Sequence, residues 1–205
     1  MFQKIKTALI SVSDKTDLLI VLKTLNKYKV KVISSGGTYK SIKKLGFDCT
    51  EISSYTGFGE MLDGRVKTLH PKIHAGILHD RSNKKHSHEM TKHKFPSIDL
   101  IIVNFYPFQK IVNYSKNDKK IIENIDIGGP TMVRSAAKNF KNVLIITNKN
   151  DYLDLTEEIK KNKGTTSLNF RKYMSGKAFG LTAYYDAMIA NWFNQKLNIK
   201  FPERK

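Results

Sequence analysis

Arg65, Lys67, Thr68, His70 and His74 crowd into ten positions of GFGEMLDGRVKTLHPKIH, residues 57–74, punctuated by Gly57, Gly59, Gly64 and Pro71. Guanidinium, ammonium and hydroxyl donors on a short rigid loop are the equipment for gripping a phosphorylated small molecule. So many breakers argue against a regular helix or a central strand anywhere in the segment. Taken alone, the same residues also read as a solvated basic loop.

Two further loops carry donors of the same kind. SVSDKT supplies Ser11, Ser13, Lys15 and Thr16, and SSGGTYK supplies Ser34, Ser35, Gly36, Gly37 and Thr38. Glycines let backbone N–H groups approach a phosphate closely, and a following helix points its positive end at the anion. Each loop alone is equally well explained by helix capping. Neither spells a P-loop, and neither spells the dinucleotide fingerprint. Asn104, Phe105 and Tyr106 end a long apolar run, so the Tyr106 hydroxyl either enters the same crevice or its ring plugs it. Asp126 precedes Ile127, Gly128 and Gly129, and Lys138 follows two helical turns after Pro130. A carboxylate and an ammonium there form a proton-transfer pair, or else a helix cap and an exposed lysine.

All six histidines fall between positions 70 and 93. The i, i+4 spacing of His70 and His74 suits a metal only on a helix, which Pro71 argues against, and no carboxylate or cysteine completes a ligand set. No metal site is expected. Cys49 is the only cysteine, which excludes an internal disulfide and points to a reducing cytoplasm.

The elements that must position these loops alternate in type. KTALISV (6–12) is a strand leading into a helix over about 17–28, where Leu18, Leu19, Leu22 and Leu25 make the apolar stripe. VKVISS (30–35) is a second strand, followed by a helix ending before Gly46 and a short strand near 48–52. DLIIVNFYPF (99–108) and NVLIIT (142–147) read as strands buried on both faces. Pro130 marks a helix start, Asp151 heads another helix, and 166–194 is mostly helical. The stretch 80–97 reads as a polar surface excursion, and 196–205 as a linker-like tail after a domain spanning 1–195. This alternation predicts an α/β fold with a mainly parallel sheet, whose ligands gather beyond the carboxyl ends of the strands.

Composition narrows the partners. A formal charge of +18 invites nucleic acid, but 31 Lys against 5 Arg, dispersed along the chain, is not a base-reading stripe. Nucleic-acid binding is not expected, whereas attraction of anionic metabolites is. No run approaches the roughly 18 to 20 apolar residues of a membrane span, so no membrane partner is expected.

Together SVSDKT, SGGT, TGFGEMLDGRVKTLHPKIHAGIL, NFYPF, DIGGPTMVRSAAKN and KAF…TAYYDAMIANWF resemble, in order and spacing, the IMP cyclohydrolase domain. That domain is the N-terminal half of the bifunctional AICAR transformylase/IMP cyclohydrolase, and the resemblance covers residues 4–194. It implies a methylglyoxal-synthase-like α/β sandwich of three layers with a helical C-terminal segment, a homodimer, and ring closure of a formylated carboxamide ribotide to IMP. That step requires no cofactor. Carried over by motif, Ser11, Ser13, Lys15, Ser35, Gly37, Thr38, Arg65 and Thr68 would hold the nucleotide, while Asn104, Phe105, Ile127 and Gly128 would line its base. Lys67 would stabilise the oxyanion, Tyr106 would orient the reacting group, and Asp126 and Lys138 would pass protons. Gly59 stands where many relatives have proline. The final FPERK resembles the linker into a transformylase domain, which is expected to be absent from this chain. A non-catalytic phosphometabolite-binding module of the same fold is the alternative. It would need the phosphate loops but not Lys67, Tyr106, Asp126 and Lys138 together.

Overall fold

The computed structural model describes residues 2–202. Its centre is a five-stranded parallel sheet in the order β4-β3-β2-β5-β6. After β1 (Phe2–Lys4), β2 (Thr7–Val12) passes through α1 (Leu18–Lys27) to β3 (Lys31–Ser34), then through α2 (Gly36–Lys44) to β4 (Thr50–Glu51). Next come α3 (Ile52–Thr56), a 3-10 turn (Leu62–Gly64), α4 (Pro71–Leu78) and α5 (Lys84–Lys92). The chain then enters β5 (Leu100–Asn104), on the opposite side of β2 from β3. The helices α6 (Phe108–Tyr114), α7 (Asp118–Glu123) and α8 (Gly128–Lys138) lead to β6 (Leu144–Ile146). A 3-10 turn (Lys149–Asp151), α9 (Tyr152–Lys161), β7 (Thr165–Ser167) and the long α10 (Leu168–Leu197) complete the order.

The sheet is buried on both faces because its central strands β2, β5 and β6 are apolar at most positions. Ala8, Ile10, Leu100, Ile102, Leu144 and Ile146 pack one way, against Leu18, Leu22 and Leu25 of α1 and Leu155 and Ile159 of α9. Leu9, Ile33, Ile101 and Ile145 pack the other way, against Ile73 and Ile77 of α4, Met132 and Val133 of α8 and Ala178 of α10. These side chains are almost wholly buried, so each Ile or Leu contributes roughly 1.5–3 kcal/mol. Helices on both faces of a parallel sheet give the expected three-layer α/β sandwich.

A third cluster joins Phe108, Ile121, Tyr185 and Trp192, and so ties α6 and α7 to α10. At the amino end of the sheet, Asp99 accepts hydrogen bonds from the N–H groups of Lys6 and Thr7, both at 2.8 Å, and pairs with Arg81 at 2.7 Å.

Several expectations need correction. The antiparallel pair β1 and β7 has too few residues for a periodic signal. The apolar run 99–108 leaves the sheet at Asn104, because Pro107 ends pairing and starts α6. Residues 80–97 are not a bare excursion, since Asn83 caps α5 by accepting from the N–H groups of Lys85 and His86. Helix α8 starts at Gly128, which puts Pro130 third rather than first. Pro71 opens a helix instead of preventing one: it is the first residue of α4, with His70 as its cap and His74 in its first turns. The tail is helical as far as Leu197, and Asn194 then bonds Phe201 through both backbone groups. Residues 203–205 of that tail lie outside the described residues.

Candidate active site

The chain order reverses direction at β2, with β3 on one side and β5 on the other, which is where parallel sheets open a crevice. Val12 stands opposite Asn104 there. The Asn104 amide ties the two strand ends together: its Oδ1 accepts from the N–H groups of Ser13 (2.5 Å) and Asp14 (3.2 Å), and its Nδ2 donates to the Asp14 carbonyl (3.0 Å). Asn104 therefore shapes the loop, a role its position after an apolar strand did not reveal. Buried Thr38 fixes the third side. Its Oγ1 receives the Val12 N–H at 3.0 Å and donates to the Val12 carbonyl at 2.9 Å.

Between these anchors α2 begins at Gly36 and Gly37, following buried Ser35. Gly36 has φ +52°, a left-handed conformation that favours glycine. A Cβ there would lie 3.4 Å from the Lys67 Nζ, and one on Gly37 would lie 3.7 Å from the Lys15 Nζ. Two ammonium groups thus flank the amino end of one helix, an arrangement that favours an anion. Lys15 also donates to the Ser13 carbonyl at 3.1 Å. Ser11 is half-buried within β2.

The 57–70 loop carries Lys67 and Thr68 to α8. Thr68 is buried, and its Oγ1 lies 2.3 Å from where a Cβ on Gly128 would stand, so only glycine permits that approach. Asp126 sits at the same turn. Its Oδ1 accepts from the Gly129 N–H at 2.8 Å, and its own N–H donates to the Tyr185 hydroxyl at 2.8 Å. Burial pushes the Asp126 carboxyl above its ordinary value, opposed by the Gly129 N–H and by attraction to Lys67. A carboxyl held this way keeps its proton to higher pH than an exposed one. Lys67 is balanced by Glu60 at 3.7 Å. Tyr185 is buried, and its ring packs on Phe105 with centroids 4.8 Å apart.

Other predicted residues stand apart. Lys138 ends α8, about 15 Å along the axis from Gly128 at 1.5 Å per residue, so it does not pair with Asp126 within the chain. Tyr106 is 52% exposed, which removes the reading of an aromatic plug. Ile127 is exposed at the head of α8. Arg65 is exposed and ion-paired with Glu123 of α7. The nitrogens of both histidines in the i, i+4 pair that face protein are occupied: His70 Nδ1 accepts from the Lys72 N–H at 3.1 Å, and His74 bonds Thr68 and Ser135. Glu60, Glu123 and Tyr185 escaped sequence reasoning, because no short-range spacing marks them, whereas His74 was singled out only as half of a metal-like pair.

Comparison with known proteins identifies the architecture. The model of the MGS-like domain matches residues 17–131. The chain belongs to the MGS-like family. A second family model, the AICARFT/IMPCHase bienzyme, matches residues 136–205. Among curated relatives, the bifunctional purine biosynthesis protein PurH of Bradyrhizobium diazoefficiens is 46% identical over 201 residues, covering 98% of this chain and 38% of that protein. PurH of Oceanobacillus iheyensis is 49% identical over 199 residues, covering 97% of this chain and 39% of its own length. The chain thus spans well under half the length of these relatives. The crystal structure of ForH superposes with a TM-score of 0.82 at 30% identity, covering 92% of this chain and 99% of that one. The family resemblance read from the motifs therefore leads to the same proteins as these comparisons.

Proposed function

We propose that this chain is an IMP cyclohydrolase, closing the ring of 5-formamidoimidazole-4-carboxamide ribotide to give IMP and water, the last step of purine nucleotide synthesis. The single observation that carries the reading is the meeting of Lys67, from the 57–70 loop, with the Asp126 turn of α8, where burial raises a carboxyl beside an ammonium. Homology to bifunctional purine biosynthesis proteins supports the same step.

In this reading the phosphate rests between Lys15 and the head of α2, with Ser11, Ser13, Ser35, Gly37 and Thr38 shaping its seat. Arg65 exchanges Glu123 for the substrate anion, and Thr68 and Gly128 form the wall beneath. Phe105, Asn104 and Ile127 line the base, and Tyr106 swings its exposed ring over it. The carboxamide nitrogen attacks the formyl carbon, and Lys67 stabilises the charge gathering on the formyl oxygen. Asp126 passes one carboxamide N–H proton to that oxygen, giving a hydroxyl, which then leaves as water with the formamide N–H proton as the ring C=N double bond forms. Lys138 is assigned no proton transfer, because α8 holds it away from the turn.

The deciding experiment mixes the purified chain with the formylated ribotide and follows IMP by ultraviolet absorbance. Turnover above the uncatalysed rate is expected, reduced about 10²–10³-fold in Lys67→Ala. A folded chain without turnover refutes the reading.

The chain is also read as a homodimer. Tyr173 and Tyr184 of α10 are exposed, and Gly176 and Gly180 on the same face have nothing within 4 Å of a Cβ position. Such a face admits close approach of a second helix, and sedimentation giving a monomer at micromolar concentration would dismiss it.

A further inference from the structure

The 57–70 loop holds Lys67 without a strand to support it. Leu62 and Asp63 adopt left-handed φ of 51° and 52°, and the Lys67 N–H reaches the Gly64 carbonyl only at 3.4 Å. Upstream the loop is exposed from Gly57 to Asp63, so the anchor that sets where Lys67 stands must lie downstream. That anchor is Thr68, and the group that holds its backbone is His74.

The His74 ring lies half-buried between the loop and α8, with Nε2 at 3.1 Å from the Thr68 carbonyl and Nδ1 at 3.3 Å from the Ser135 Oγ. A carbonyl oxygen only accepts, so Nε2 carries the proton. In the neutral ring Nδ1 is then the acceptor, and the Ser135 hydroxyl is its donor. The hydroxyl's single proton is shared with the Thr131 carbonyl, to which the same hydroxyl donates at 2.8 Å, so the 3.3 Å contact with Nδ1 is the weaker arm of the bridge. Burial keeps the ring below the ordinary histidine value, consistent with the neutral form.

We infer that His74 is a positioning residue for the reaction: by bridging the Thr68 carbonyl to Ser135 of α8, it sets the 57–70 loop against the helix whose first turn carries Asp126. The inference rests on the cyclohydrolase reading above. It also gives the histidine pair a division of labour, with His70 capping α4 and His74 clamping the loop that α4 follows. The two bridged residues lie close to the groups they align: Thr68 is next to Lys67 in sequence, and Ser135 is about two turns along the helix headed by Gly128 and Gly129. Loss of the bridge lets Lys67 drift by the order of an ångström, enough to cost roughly 10²-fold in rate.

Three variants of the full chain test this. Glutamine places its amide nitrogen near the position of Nε2 and preserves the donor to Thr68, asparagine reaches only the position of Nδ1, and leucine has neither. His74→Leu is expected to lower kcat about 30- to 100-fold with a smaller change in KM. His74→Gln is expected to recover at least a third of the wild-type kcat, and His74→Asn to stay near the leucine value. In a Lys67→Ala background the leucine substitution should change the residual rate less than threefold. Folded His74→Leu with wild-type kcat overturns the inference, as does a recovery that follows Tm equally in the glutamine and asparagine variants. Should the leucine variant not fold, the contrast of glutamine with asparagine decides. Amide hydrogen exchange over residues 65–70 is read alongside, with at least tenfold acceleration expected in the leucine or asparagine variant and none in glutamine. A wild-type chain without turnover would refute the cyclohydrolase reading alone, and unaccelerated exchange in the leucine and asparagine variants would refute the clamp alone.

Discussion

Replacing Gly129 by alanine should re-aim the Asp126 carboxylate while leaving the fold in place. A Cβ on Gly129 would lie 2.4 Å from the Asp126 Oδ2, 2.9 Å from its Cγ and 3.1 Å from its Oδ1. Ordinary contact begins near 3.4 Å, so the nearer oxygen must retreat by the difference, 3.4 less 2.4, or about 1 Å. The backbone cannot retreat with it, because the Asp126 N–H is held by the Tyr185 hydroxyl on the buried side of α10. The side chain therefore rotates and gives up its 2.8 Å bond from the Gly129 N–H. Losing a hydrogen bond to a charged acceptor costs about 1.5–3 kcal/mol. Alanine returns about 1 kcal/mol as a better helix former than glycine. The net destabilisation is then about 0.5–2 kcal/mol, a fall of a few degrees in Tm for a chain of this length. Misplacing a reacting group by about 1 Å costs on the order of 10²-fold, or about 2.7 kcal/mol of barrier. The assay pairs thermal unfolding with single-turnover IMP formation. Full kcat in a folded Gly129→Ala protein would refute the claim that the bare glycine sets the aim of Asp126.

Two other predictions address charge. Because burial raises the Asp126 value, the folded chain holds that proton more tightly than the unfolded chain, whose value is near 3.8. Its contribution to stability is present below pH 3.8 and is lost as pH rises through the raised folded value, so Asp126→Asn should remove that decline. Urea unfolding of both proteins from acid to neutral pH reads it, and parallel curves would contradict the burial argument; kcat should fall about 10²–10⁴-fold in the same variant. At the opposite end of the sheet, Asp99→Asn leaves Arg81 facing an amide and should cost about 3 kcal/mol. That corresponds to a Tm lower by about 6–12 °C, with kcat per folded molecule unchanged, and a variant as stable as wild type would show the pair to be dispensable.

Some of this architecture is written locally. Strands such as TALISV and LIIVN declare themselves by mostly apolar runs, and α1 by its leucine stripe, because such patterns act over one element. The boundaries were less legible. Pro71 and Pro130 each carry a start signal and a break signal at once, and only packing decides which applies. Helix α5 was hidden because a polar helix has no apolar stripe, and its cap at Asn83 is a single residue.

The sequence by itself determined the supply of chemistry: a cationic loop, two serine- and glycine-rich strand ends, and a carboxylate before a glycine pair. Those are properties of residue type and near spacing. Tertiary structure alone decided which of them meet. Asp126 and Tyr185 bond across 59 positions, Arg65 and Glu123 pair across 58, and His74 reaches Ser135 across 61. No local pattern encodes such contacts, because they follow from where parallel strands end and from which glycines the fold brings against a neighbouring side chain. The same rule separated the proposed proton pair, since a helix of 11 residues keeps Lys138 at one end and the Asp126 turn at the other.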